Sequence, residues 1–288
     1  MSYGKITAKA PAKLNLRLKV TGRRPDGYHD LVSLMVPIDV CDVLDFEVIP
    51  EQVELAWEGL PVAVDKDNLV RKAAEAFFVK SGVKGGVSVR VTKNIPIAAG
   101  MGGGSSDAAA TLLSLNHLWS APLSPGGLKG LALQLGADVP FFLDPRPSIA
   151  RGVGEVLEPV DRWPDLWYVI VTPPVQVSTA WVYANLRLGL TSNEYDRIKN
   201  ILHRESPVIS QFLENDLEAV TSAKFPIVDR IKKALLDAGA EGALMTGSGP
   251  SVFGVFGSRN KAGQAREKIL PHDFGRVLLA ENWKGQII

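Results

Sequence analysis

The chain has 288 residues, 46% hydrophobic and 22% charged, enough apolar surface for a large core in one long domain or two ordinary ones. Lys and Arg number 32 against 31 Asp and Glu, so the overall balance points to neither nucleic acid nor an anionic membrane surface, and any basic site must be local. No apolar run reaches the roughly 18 residues of a membrane span, residues 1–10 lack the apolar core of a secretory signal, and Cys41 is the only cysteine. That count excludes an internal disulfide, so a reducing, cytoplasmic location is expected, with Cys41 a small hydrophobe near a strand. Leu14, Leu16, Leu18 and Val20 alternate with Lys13, Asn15, Arg17 and Lys19, the pattern of a strand with one buried and one polar face. Strands are also expected over 42–49 and 87–92, the latter from Val87, Val89 and Val91, and a helix over 68–81 ended by Gly82. Ala108, Leu112, Leu115 and Trp119 recur at helical spacing, and Leu128, Leu131 and Leu135 mark a further helix stopped at Gly136.

The proline-bearing stretch 158–164 is the best domain boundary, followed by an apolar strand over 167–171. Beyond it, Ile227, Ile231, Leu235 and Ala238 form a helical stripe after Pro226, with Gly239 at the C-cap. A glycine-rich loop over 242–251 then leads into a strand over 252–256. Strands paired with helices in both halves predict α+β sandwiches rather than a regular βαβ sheet.

Between the valine strand and the first long helix lies Pro96-Ile97-Ala98-Ala99-Gly100-Met101-Gly102-Gly103-Gly104-Ser105-Ser106. Glycine amides can turn toward a ligand, Ser105 or Ser106 would cap the helix, and the unpaired amides of its first turn favour an anion, so the stretch reads as a phosphate cradle. It is not a Walker A loop, because no lysine follows Gly104, and not a dinucleotide fingerprint, because position 105 is serine. A flexible glycine hinge is the plainer alternative.

Three further segments bear on chemistry. Lys13 and Asn15 share one face of a strand, which is either solvated or turned toward a ligand. Asp138, between Gly136 and Phe141-Phe142-Leu143, is either a helix N-cap with Pro140 in the first turn or the group that receives the proton of an attacking alcohol, with Lys13 holding it ionised. The turn Gly22-Arg23-Arg24-Pro25-Asp26-Gly27-Tyr28-His29 presents an aromatic and an imidazole together. It is either a surface turn or a base site in which Tyr28 stacks and His29 hydrogen-bonds a base edge. Arg23 and Arg24 read as a solvated face rather than as phosphate ligands.

With these residues laid out, the chain resembles the GHMP kinase superfamily. The resemblance rests on Pro11-Ala12-Lys13-Leu14-Asn15-Leu16, on the loop 96–106 with Asp107, and on Met245-Thr246-Gly247-Ser248-Gly249-Pro250-Ser251-Val252-Phe253. The stretch 13–35, Ile38-Asp39 and Gly136-Ala137-Asp138-Val139-Pro140 resemble the branch that acts on a cytidine-diphospho sugar alcohol. The resemblance implies two α+β domains, 1–160 and 161–288, each a mixed or antiparallel sheet packed with helices, with the active site in the cleft between them. It implies ATP-dependent phosphorylation of the 2-hydroxyl of that sugar alcohol, on the non-mevalonate route to isoprenoid precursors, with ATP as co-substrate, Mg2+ as cofactor, and no nucleic-acid or membrane partner. Lys13 and Asp138 then correspond to the catalytic pair, loop 96–106 to the ATP phosphate site, and Asn15 to a position near the acceptor. Tyr28 and His29 correspond to the cytosine site, together with Thr179 and Tyr183, the latter where the family commonly has phenylalanine. Ser106 is a possible metal ligand, but no motif assigns the metal site, and the oligomeric state is left open.

Overall fold

The computed structural model describes residues 4–60, 68–187, 193–202 and 208–288; the first three residues of the 1–10 stretch considered above lie outside it. Strand β1 (Lys5–Arg23) pairs antiparallel with β2 (His29–Ile49) along nearly its whole length. Sequence alternation locates only the second half of β2. Its first half is a run of buried residues from Val32 to Ile38, a strand covered on both faces, which shows no polar alternation to read. Strand β3 (Val53–Gly59) follows, then α1 (Leu69–Ser81), capped by the Asn68 carboxamide, which accepts from Val70 N and Arg71 N, and closed by Gly82 at φ 68°. Next come β4 (Gly86–Lys93), α2 (Gly103–Leu118), α3 (Pro125–Leu135), the single turn α4 (Val139–Phe142), and the hairpin β5 (Ser148–Gly152) and β6 (Val156–Pro159).

The second half begins with β7 (Trp167–Thr172), α5 (Thr179–Ala184) and α6 (Glu194–Leu202). It continues through the short β8 (Glu214–Asn215), α7 (Glu218–Lys224), α8 (Ile227–Asp237), β9 (Gly242–Met245), β10 (Val252–Phe256), α9 (Arg259–Ile269) and β11 (Arg276–Glu281). Strands β1 to β6 and β8 form a mixed seven-stranded sheet, and β7, β9, β10 and β11 a four-stranded antiparallel sheet in the order β11-β7-β10-β9. Among the described residues no helix is long and apolar enough to cross a membrane.

Three apolar cores set the layering. One lies between the seven-stranded sheet and α1, α2 and α3, and holds Phe46, Phe77 and Leu112. A second lies between the two sheets, where Leu14, Leu16 and Leu34 meet Tyr168, Ile170 and Phe253. The third packs α8 and α9 on the four-stranded sheet through Ile231, Leu235 and Ile269. Strand β1 contributes to all three: Ala8 and Ala10 to the first, Leu14 and Leu16 to the second, Leu18 and Val20 to the third. Across a register shift between Pro11 and Ala12 its even-numbered side chains pass from the helix layer to the second sheet, which leaves Lys13 and Asn15 on the wall of a cavity.

The polar face of β1 is therefore not solvated. Lys13 and Asn15 are each 4% exposed and Arg17 is fully buried, because elements from the second half cover it. Arg17 pairs with Glu194 and Glu214, each at 2.6 Å, and Lys19 with Glu214 and Asp216 at 2.7 and 2.6 Å. Two more ties join the halves: β8 runs beside β1 at Leu18, and Lys9 N donates to Ile287 O at 2.8 Å while Ile287 fills the first core. Cys41 packs beside β1, and burial followed by the nearby Asp39 charge pushes its thiol up to about 12, so it stays protonated and unreactive near neutrality.

Candidate active site

A cavity of about 1260 Å³ opens where the two sheets meet loop 96–106. The loop is shaped by close approaches that only glycine permits. Gly100 has φ 77°, and a Cβ there would lie 2.1 Å from the carbonyl oxygen of Thr246. Gly102, at φ 73°, is the N-cap of α2, and a Cβ on it would meet Phe142 at 2.9 Å and Cγ of Lys13 at 3.2 Å. The helix thus starts two residues before the expected serine cap: Ser105 sits in its first turn and Ser106 is fully buried inside it. Lys13 N donates to Met101 O at 3.0 Å, which fixes the loop to β1.

The second glycine-rich loop braces the first. Thr246 Oγ1 accepts from Asn15 N at 3.0 Å and reaches Gly100 O at 3.4 Å. Asn215 Nδ2 donates to Met245 O and Gly247 O, at 2.7 and 2.8 Å, and holds that loop from behind.

Lys13 Nζ donates to Asn15 Oδ1 at 2.5 Å and lies 3.7 Å from Asp138 Oδ2. Asn15 in turn donates to Ser33 Oγ at 2.8 Å. Burial lowers the pKa of Lys13, opposed by the Asp138 charge, so its ammonium discharges more readily than an ordinary lysine. Asp138 stands at the N-cap position of α4, yet its side chain makes no capping hydrogen bond, and 39% of it is exposed. The cap reading fails on that point, and the carboxylate faces Lys13 instead.

At the other end His29 stacks on Tyr183, ring centroids 5.0 Å apart and planes 27° from parallel, while Tyr28 is 63% exposed at the mouth. Burial, then Arg23, lowers the pKa of His29, so the imidazole is neutral near pH 7. Burial, then Asp138, pushes the Tyr183 hydroxyl up to about 12. Thr179 Oγ1 hydrogen-bonds Ser248 Oγ at 2.8 Å.

The cavity wall thus brings together Lys13, Asn15, Tyr28, His29, Asp138, Thr179 and Tyr183 with most of the glycine loop. Met101 and Ser106 are not on it: Met101 packs in the core between the sheets, and Ser106 is fully buried. The wall also holds residues that the sequence does not single out. Trp57, Asn68 and Lys93 carry no motif signal; Gly247 and Ser248, also on the wall, come from the second glycine-rich motif. Lys93 Nζ bridges Asp42 and Asp107, the latter at 2.6 Å. Burial pushes the Asp107 carboxyl up to about 7, with Lys93 opposing and Asp42 assisting. Among the described residues no cluster of three or more His, Cys, Asp or Glu is arranged to hold a metal ion.

Two family models match this chain, "GHMP kinases N terminal domain" over residues 68–144 and "GHMP kinases C terminal" over 189–274, so the fold is that of a GHMP kinase. A "4-diphosphocytidyl-2-C-methyl-D-erythritol kinase" of Geobacter metallireducens is 46% identical over 267 residues, covering 92% of this chain and 94% of that protein. One of the same name from Pelotomaculum thermopropionicum is 46% identical over 263 residues, covering 90% and 92%. A crystal structure of 4-(cytidine 5'-diphospho)-2C-methyl-D-erythritol kinase superposes with a TM-score of 0.81 at 36% identity, over 97% of this chain and 100% of that one. Homoserine kinase from Cytophaga hutchinsonii, at 19% identity and a TM-score of 0.74 over 96% and 94%, shares the fold. The chain belongs to the GHMP kinase family and, within it, to the family of the 4-diphosphocytidyl-2-C-methyl-D-erythritol kinases.

Proposed function

We propose that this chain transfers the γ-phosphoryl group of ATP to the 2-hydroxyl of 4-diphosphocytidyl-2-C-methyl-D-erythritol in the cytoplasm, on the non-mevalonate route to isoprenoid precursors. The observation that carries the reading is the Lys13–Asp138 couple, 3.7 Å apart, on the same cavity wall as a glycine loop and an aromatic pair. Residues 1–160 act as the ATP-binding domain and 161–288 as the C-terminal domain.

Loop 96–106 and the first turn of α2 hold the triphosphate through backbone amides and the positive end of the helix dipole. Tyr28, His29, Thr179 and Tyr183 bind the cytidine end of the acceptor, and Asn15 lies close to its reacting hydroxyl. Asp138 orients that hydroxyl and accepts its proton, with the Lys13 ammonium 3.7 Å from the carboxylate. A magnitude fixes the timing. A carboxylate of pKa about 3.9 facing a hydroxyl near 15.7 is short by about 12 units, roughly 16 kcal/mol, so the alcohol is not deprotonated beforehand. The proton moves late, as a loose phosphoryl-transfer transition state allows, and positioning supplies most of the rate.

Magnesium fits the loop in kind at Asp107, which lines the cavity and whose Oδ1 is a hard oxygen buried without a hydrogen-bond partner; Ser106 Oγ, likewise unpartnered, lies off the wall. Bound there with ATP, it would neutralise charge developing between the β- and γ-phosphates.

The deciding experiment is ADP release with 4-diphosphocytidyl-2-C-methyl-D-erythritol beside homoserine and mevalonate. Turnover is expected with the first alone, and preference for either of the others would overturn the reading. Tyr28→Ala should raise the acceptor KM about 5- to 100-fold, the loss expected for one base–aromatic stack, with the ATP KM unchanged. An unaltered acceptor KM would remove Tyr28 from the acceptor site.

A further inference from the structure

We infer that Arg23 is the cation that receives the diphosphate of the acceptor, which makes it a specificity residue for nucleoside-diphosphate-linked alcohols; the inference rests on the function proposed above. The charge inventory of the cavity leads to it. Its wall carries Lys13, Lys93, His29 and Arg23 as candidate cations. Lys13 is buried against Asn15 and Asp138. Lys93 is spent on Asp42 and Asp107. Burial keeps His29 neutral near pH 7. Arg23 alone among them is a charged side chain that, among the described residues, makes no ion pair or hydrogen bond.

The adjacent Arg24 differs in kind. It pairs with Asp30 at 2.8 Å and with Glu155 at 3.9 Å, and it does not line the cavity. Asp26, the carboxylate nearest in sequence on the same wall, is engaged with the backbone, accepting from Tyr28 N at 3.0 Å.

Position agrees with charge. Arg23 is the last residue of β1 and sits opposite His29 in the β1–β2 ladder, at the base-binding end. The acceptor's diphosphate joins its nucleoside to the sugar alcohol, so it must run from the His29–Tyr183 pair toward Asp138. The carboxylates of Asp26 and Asp138 line the same cavity, so an anion here needs an uncompensated positive charge. A guanidinium matches phosphate oxygens with paired donors, whereas backbone amides at the glycine loop are reserved for ATP.

Arg23→Gln should raise the acceptor KM by up to about 5-fold, the upper end for one solvent-exposed charge contact, with kcat and the ATP KM unchanged. Arg23→Glu should raise it further, and Arg23→Lys should restore part of the loss. The acceptor KM of the unmodified chain should climb with added salt more steeply than that of Arg23→Gln. Calorimetry with cytidine 5′-diphosphate and with cytidine supplies a readout free of turnover: the preference for the diphosphate should shrink in Arg23→Gln. If the unmodified chain phosphorylates the acceptor while Arg23→Gln keeps the same KM and the same preference, this inference alone is overturned. If the unmodified chain neither turns over the acceptor nor binds cytidine 5′-diphosphate, the functional reading fails and takes this inference with it. Arg23 is exposed at a strand end, so unchanged thermal unfolding is expected in all three variants.

Discussion

Asp138→Ala is expected to lower turnover by about 10²- to 10⁴-fold, the usual contribution of a positioned acid–base group, while ATP affinity and thermal stability stay near their starting values. The expectation follows from what the side chain does and does not touch. It caps no helix, and its ion-pair partner is Lys13 at 3.7 Å. Removing it therefore strips no fold-bearing hydrogen bond. ADP release measures the turnover, calorimetry with a non-hydrolysable ATP analogue the affinity, and a melting scan the fold. A matched fall in all three would return Asp138 to a structural role. Lys13→Met should lower turnover likewise, and Lys13 also sets a pH limit. Its pKa lies below the ordinary 10.5 because burial disfavours the charged form. The ammonium exists below that pKa, so as pH rises it discharges early, and kcat/KM should fall on the alkaline side sooner than a solvated lysine would dictate.

Gly100→Ala is expected to damage both ATP binding and the fold. A side chain at φ 77° adopts the left-handed region that costs about 1–2 kcal/mol for an L-residue, and its Cβ would sit 2.1 Å from Thr246 O and 3.1 Å from the carbonyl carbon. Both atoms are backbone, in the loop that Asn215 ties down, so neither can step aside cheaply. A loss of about 3 kcal/mol or more and a melting point lower by several degrees are expected, with the ATP KM raised at least about tenfold. Gly104→Ala is the control. Its Cβ finds nothing nearer than Leu69 Cδ1 at 3.6 Å, so the melting point should hold. If Gly100→Ala melts where the unmodified chain does and keeps its ATP KM, the brace between the two glycine loops is not what shapes the phosphate site.

Local chemistry made the elements and the loop legible. Asn68 and Gly82 bracket α1, Gly136 stops α3 after its leucine stripe, and the valines of β4 point inward in turn, each readable from a few neighbouring residues. Burial that depends on distant elements was not legible. Lys13, Asn15 and Arg17 look like a wet strand face, because nothing in residues 13–19 says that Glu194, Glu214 and Thr246 will cover them. Helix α2 begins at Gly103 rather than at a serine because Gly102, in a left-handed conformation against Phe142 and Lys13, makes the turn that a serine cap would otherwise make. The aromatic end was half legible. The Tyr28-His29 pair stood out beside its turn, but the partner of His29 is Tyr183 from the other half of the chain, and no local pattern links positions so far apart.

Strand β1 has a consequence for biosynthesis. It enters three cores, two of them walled by residues beyond 165, and its Lys9 amide waits for the carbonyl of Ile287. A nascent chain released in stages would hold this strand with unmatched apolar flanks until the residues around Ile287 are made. Such late, long-range pairing slows folding and favours clumping with neighbours, so yield in a heterologous host should depend on chaperone supply and growth temperature more than on codon choice near the start.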